Sequence, residues 1–408
     1  MEKPAKMDEL DLVRGLAIMG VMLVHATSFA TVYLREDRFF ALYNFINIFS
    51  KFGTTTFIFL SSFVLFYNYF RRPLGKELFI RFYRNRLTYI LLPYLLFSVL
   101  FFTLSWADKG REWELAVMFQ EFWPKLLIGK AYTHLYFIFI NCQFYLLFPL
   151  VLVLLRRYRW AAAWSPLIGI TLQWLFYTGN DAWWDVTYRN SWSLSFLSYY
   201  FLGAWLGIYF DSVKQWLMRA RHASRPWLQR LGWGALWIVW IGAGATHAAF
   251  RYQERLHGVD YHPLLLDAFW NVHTLATALV IVQSALWLSG VHNPLLKGLR
   301  WLGAYSFGIY LVHPLVLFVY RKFPAMSDHS WIQLAWYAGG LVCAIGISSL
   351  LVYGISRTGG WTSVLFGRLP SNMRSAERGT ASAASEPAGS RAESAATIGH
   401  KVREEESA

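Results

Sequence analysis

Apolar runs of about twenty residues, separated by short polar loops, fill this sequence from about residue 10 to residue 355. An α-helix rises about 1.5 Å per residue, so a run of that length spans the ~30 Å hydrocarbon core of a bilayer. Inside lipid the backbone must satisfy its own hydrogen bonds, which leaves helices as the form for such runs. Ten of them are predicted, at about 10–31, 50–70, 87–106, 134–155, 160–178, 192–210, 231–250, 268–289, 301–320 and 332–355. The expected fold class is therefore an all-α integral membrane protein with about ten transmembrane helices. Of the residues, 56% are hydrophobic and 15% charged, where a soluble chain carries about 25% charge.

The net charge of +14 does not point to nucleic acid, because the basic residues sit in the loops between apolar runs. Arg71, Arg72, Lys76, Arg81, Arg84 and Arg86 crowd one loop, and Arg156, Arg157 and Arg159 another. Lys214, Arg219, Arg221, Arg225 and Arg230 follow, then Lys297 and Arg300. The alternate loops hold fewer cations and mix them with acids, as with Arg35 and Arg38 beside Glu36 and Asp37. Cytoplasmic excess of Lys and Arg sets orientation, so both termini are expected in the cytoplasm. The charged start MEKPAKMDELD leads into a run without a small-residue cleavage site, which excludes a signal peptide. The expected division is a cytoplasmic N-terminus at 1–9, a membrane domain at 10–355, a juxtamembrane segment at 356–369 and a disordered cytoplasmic tail at 370–408. That tail is rich in Ser, Ala, Glu and Gly. Cys142 and Cys343 each lie inside an apolar run and supply neither a disulfide framework nor metal-ligand spacing.

The first run, LDLVRGLAIMGVMLVHAT, carries Arg14 and His25. Eleven residues make almost three helical turns and about 16 Å of rise, so both side chains lie on one stripe, with His25 near mid-bilayer. Ionisable groups at that depth normally face a bundle interior or a water-filled cavity. By themselves these residues fit a functional pair and an interfacial anchor with an interhelical histidine equally well. The loop RRPLGKELFIRFYRNR is accounted for in most membrane proteins by topology or lipid headgroups; the functional alternative is a phosphate-bearing ligand on the cytoplasmic side, which an arginine fork engages bidentately. Ser61, Ser62, Asn141, Gln143, Gln173, His247, His273, Gln283, Ser306 and His313 are further polar residues of the runs, most of them expected to bond between helices. His134 and His313 are placed toward the outer ends of their runs. No P-loop, GxGxxG, HExxH or GxSxG occurs, so neither a zinc centre nor a hydrolase is expected.

Five stretches, in order, resemble the membrane acyltransferase 3 family. Asp11, Arg14, Gly15, Ala17 and His25 match its opening Asp-x-x-Arg-Gly helix with a histidine eleven residues after the arginine. FGTTTFIFLSSFVLFYNY, RFYRNRLTYILLPY, HLYFIFINCQFYLLFPL and SFGIYLVH are similar to its later segments. Ser62 stands where the family usually has Gly, and Tyr89 where many members have a second Arg.

The resemblance implies transfer of an acyl group, most often acetyl, from cytoplasmic acyl-CoA to a hydroxyl of a cell-surface glycan or lipid-linked sugar. His25 would be general base or transient acyl carrier, and Arg14 would hold a CoA phosphate or stabilise an oxyanion. Arg81, Arg84 and Arg86 would bind the nucleotide end of CoA, with Arg71 and Arg72 as weaker candidates. Asp11, Ser61, Gln143, Tyr145, Ser306 and His313 are carried as site-lining residues. Acetyl-CoA would be a donor substrate rather than a resident cofactor, the other partners being the acceptor and membrane lipids. The expected location is a bacterial plasma membrane, crossed many times. A transporter or flippase for a polysaccharide or lipid-linked sugar is the alternative.

Overall fold

A computed structural model describes residues 8–218 and 226–369 of the chain, and every regular element among them is helical. The N-terminal half holds α1 (Asp8–Thr27), α2 (Ala30–Tyr33), α3 (Phe40–Phe49), α4 (Gly53–Tyr69), α5 (Lys76–Arg86), α6 (Leu92–Asp108), α7 (Leu115–Leu127), α8 (Tyr136–Arg157), α9 (Arg159–Ala163) and α10 (Ser165–Gly179). The second half holds α11 (Leu197–Met218), α12 (Pro226–His257), α13 (Pro263–Trp287), α14 (Pro294–Ala304), α15 (Ser306–Tyr320), α16 (Ser330–Ser356) and α17 (Thr362–Phe366). The tail expected at 370–408 lies outside the described residues.

Seven segments are long and apolar enough to cross a membrane: Glu9–Tyr33, Phe40–Tyr69, Lys76–Asp108, Tyr136–Arg157, Ser193–Leu217, Pro263–Trp287 and Ser330–Ser356. The pair α14 and α15, bent by 86° at Tyr305, has the length and apolarity of an eighth only when the two are taken together, as a broken span or a re-entrant loop. The protein is thus a multi-pass membrane protein. Two of the ten expected runs, 160–178 and 231–250, fall in α10 and α12, which do not meet that test. α10 is 15 residues long before it passes into a π-turn. The run expected at 301–320 is not one straight span. α14 instead crosses α1 so closely that a Cβ at Gly303 would overlap the Asp11 carbonyl, and the chain turns there before α15 begins.

α1 is the hub, packed against α3, α4, α13, α14, α15 and α16. α4 lies along α11, where Gly203 and Gly207 let the backbones meet: a Cβ at either would overlap the carbonyl of Phe59 or Phe63. Ser62 sits in the same seam and donates to the Tyr200 carbonyl at 2.6 Å. Around this seam the core is aromatic, with Phe144 stacked on Tyr200 at 4.2 Å and Phe66 edge-on to Phe148.

Candidate functional site

Three histidines from three helical segments meet around α1. His25 ends α1, His134 precedes α8, and His313 lies within α15. The His25 and His313 rings are 5.1 Å apart between centroids, and His313 and His134 are 5.9 Å apart. Pro314 lacks an N–H, which opens the α15 ladder beside His313. His313 Nδ1 lies 3.2 Å from the Ile309 carbonyl. A carbonyl only accepts, so that contact puts the proton on Nδ1 and the lone pair on Nε2, which is buried without a partner. Both His134 nitrogens are likewise buried and unpartnered. Tyr310 packs beside the His134 and His313 rings and donates its hydroxyl to the His134 carbonyl. His25 alone among the three is partly open.

Arg321 closes this cluster. Its Nη2 donates to the His25 carbonyl at 2.6 Å, and the guanidinium lies 3.8 Å over the Phe29 ring. A cation at the end of α1 complements the unpaired carbonyls there. Sequence reasoning passed over Arg321, whose only signal was its place eight residues after His313.

A cavity of about 300 Å³ opens at the other end of α4, lined by Asn68, Arg72, Asn85, Arg86, Tyr89 and Arg368 among others. A second, of about 260 Å³, adjoins it beside Arg71, Arg72 and Asp211. Arg86 rests over the Tyr145 ring at 4.8 Å and over Phe82 at 5.3 Å, and its buried Nε has no partner. Arg81 and Arg84 point outward from α5 and do not line the cavity. Arg71 instead pairs with Asp211 at 3.1 Å. Arg368 reaches the cavity because Gly367, at φ +69, turns the chain back, and its Nη2 donates to Asn85 at 2.8 Å.

The remaining candidates divide. Ser61 and the Tyr145 hydroxyl are 3.2 Å apart, linking the Arg86 stack to the middle of α4. One turn along α4, Phe57 contacts the ring of Tyr310 in the histidine cluster. Arg14 bonds Asp11 at 3.0 Å beside the α14 crossing, about 16 Å of helix rise from His25, and joins neither group. Gln143 uses both ends of its amide to hold the segment before α11, at Ser191 O (2.8 Å) and Ser193 N (2.9 Å). Ser306 is buried at the start of α15, after the bend. Among the described residues no group of three or more His, Cys, Asp or Glu side chains is placed to hold a metal ion.

A multi-pass helical protein with a basic cavity at one end of a central helix and buried histidines near its other end is the class so defined. A family model described as an acyltransferase domain matches residues 7–353, and the chain belongs to that family, acyltransferase 3. It is also similar, at 25% identity over 351 residues, to proteins of Staphylococcus aureus strains MRSA252 and MSSA476. Each is named a probable poly-beta-1,6-N-acetyl-D-glucosamine export protein, and the match covers 80% of this chain and 87% of each relative. No solved structure matches.

Proposed function

We propose that this protein transfers an acyl group, acetyl in the simplest case, from acyl-CoA on the cytoplasmic side to a hydroxyl of a cell-surface glycan or lipid-linked sugar. The observation that carries this reading is the histidine cluster, where His313 Nε2 and both His134 nitrogens are buried without protein partners. Buried polar atoms left unpaired are costly, which suits groups that a substrate engages. In this reading His25, the ring open to an incoming molecule, takes the proton of the acceptor hydroxyl. The acceptor oxygen bonds to the thioester carbonyl carbon, the C–S bond breaks, and the CoA sulfur leaves with its electron pair and recovers the proton. A two-step variant has the His25 ring displace CoA first and pass the acyl group on. Arg321 supplies positive charge for the oxyanion.

Arg86, with Arg72 and Arg368, is assigned to the phosphates of CoA, and the outward-facing Arg81 and Arg84 to drawing the anion in. Arg14, paired with Asp11, is assigned to the same phosphate-bearing side. Both ends of the membrane domain are placed in the cytoplasm, in a bacterial plasma membrane. The test uses purified protein in nanodiscs with radiolabelled acetyl-CoA. Release of CoA, or labelling of the protein, should require His25 and fall at least a hundredfold in His25→Ala while the variant still folds. Acetyl-CoA turnover that survives in His25→Ala would overturn the assigned role.

The name of the Staphylococcus aureus relatives favours a second reading, export of a glycan polymer. It predicts that folded protein neither binds nor cleaves acetyl-CoA, so the same assay separates the two.

A further inference from the structure

Beyond the histidine cluster and the arginine cavity, a second cationic group lies where α3 meets α4, facing α12. Lys51 stands in the turn between α3 and α4, and among the described residues no acceptor meets its ammonium. His247 of α12 is 3% exposed, and neither ring nitrogen has a partner. It is within electrostatic reach of Lys51, Arg251, His273 and Arg255, and Lys51 is within reach of Arg255, Arg251 and Glu254. Arg251 gives one nitrogen to Glu254 at 2.7 Å while its Nε is buried and unpartnered. Arg255 gives one to Asn44 at 3.0 Å. One ammonium and two guanidinium groups thus share one carboxylate around an imidazole without a partner.

Ordinary structural roles account for only part of this. His273 lies 3.1 Å from the Trp240 carbonyl and 2.9 Å from that of Phe49, and so staples α12, α13 and α3 together. Arg255 complements the C-terminal carbonyls of α12. Neither explanation reaches Lys51 or His247. Lys51, Arg251 and Arg255 are half-buried beside a buried, unpartnered imidazole, and the group is short of acceptor oxygens rather than donors.

We infer that Lys51, His247, Arg251 and Arg255 form a binding site for the phosphate group of a membrane lipid. A phosphate offers several charged acceptor oxygens to donors arriving from different directions, which an ammonium, an imidazole and two guanidinium groups can share. A lipid fits because the helices that carry the site continue into apolar exposed surface, with Leu42 and Phe45 on α3 and Ile238 and Ile241 on α12. The site also adjoins the histidine cluster. Four residues before Lys51, Asn47 donates to the carbonyl of Val24, the residue preceding His25. Resting on the acyl-transfer reading, this makes a lipid-linked sugar, held by its phosphate, the fitting acceptor.

The test is native mass spectrometry of the full chain in maltoside detergent, titrated with polyprenyl phosphate, phosphatidylglycerol, inorganic phosphate and uncharged polyprenol. A phosphate-bearing lipid should bind one per chain, polyprenol should not, and Lys51→Met should weaken binding at least tenfold. Preference for polyprenyl phosphate identifies the acceptor anchor, whereas equal binding of phosphatidylglycerol identifies a headgroup site. Lys51→Met should also raise the melting temperature of the lipid-free protein, which loss of a structural lysine would lower. Arg255→Gln serves as a second variant. The inference falls if no phosphate-bearing lipid binds, if inorganic phosphate competes as well as either lipid, or if both variants bind as wild type. Cleavage of acetyl-CoA, measured on the same samples, judges the acyl-transfer reading separately.

Discussion

At the scale of single residues, the arginines of the basic loop are not equivalent. Arg86 is stacked over Tyr145 and Phe82 with a buried, unpartnered Nε, whereas Arg81 and Arg84 face outward on α5. A hydrogen bond to a charged group contributes about 1.5–3 kcal/mol. Arg86→Ala is therefore expected to raise the KM for acetyl-CoA about tenfold or more with kcat little changed. Arg81→Ala and Arg84→Ala should each alter it by about twofold, since solvent screens exposed charges. Steady-state kinetics with acetyl-CoA checks all three. The sequence made the basic loop visible as a whole, but its charge count could not say which fork turns inward. His25 and His313 each sit in a motif of the resemblance, and the structure brings their rings together. The unpartnered state of His134, the Arg321 bond to the His25 carbonyl and the Arg368 bond to Asn85 join residues 283 or more apart in the two arginine cases. Local pattern carries no trace of such contacts.

Among elements, the seam between α4 and α11 tolerates the least change. Gly203 and Gly207 face the carbonyls of Phe59 and Phe63, so an added side chain meets backbone rather than a movable group. Gly207→Val is expected to cost about 1–3 kcal/mol or more as overpacking, visible as a lowered melting temperature in detergent. Ser62→Ala, which removes only the bond to Tyr200, should cost about 1 kcal/mol. Hydropathy located α4 and α11 well, because the length of an apolar run follows directly from bilayer thickness. It located the bend between α14 and α15 poorly, since apolarity continues across Tyr305 and the turn is made by tertiary packing against α1. α3 and α7 fall between the expected runs for the converse reason. Each is a helix with exposed apolar positions, such as Leu42 and Phe45 on α3 and Leu115 and Phe119 on α7, and at 10 and 13 residues each is too short to span a bilayer alone.

For the whole molecule, the two groups assigned to acyl transfer lie at different levels of one helix. Asn68 lines the arginine cavity and Phe57 touches Tyr310 of the histidine cluster, eleven residues or about 16 Å of rise apart on α4. A donor anchored by its phosphates at Arg72, Arg86 and Arg368 must extend its thioester arm along that distance. The side chains between are Tyr145 and Ser61, the latter half-buried and small. Ser61→Phe places a ring at this waist, beside the Tyr145 hydroxyl and without replacing any of the arginines or histidines at either end. Adenosine 3′,5′-bisphosphate, which has the nucleotide end of CoA but no arm, should bind the variant as it binds wild type. Acetyl-CoA turnover should fall by about a hundredfold or more, as expected when the reacting atoms are held out of reach. Loss of nucleotide binding together with turnover would mean that Ser61 belongs to the phosphate end. Unchanged turnover would mean that the arm does not run along α4, and the two groups would then have to be connected by another route through the bundle.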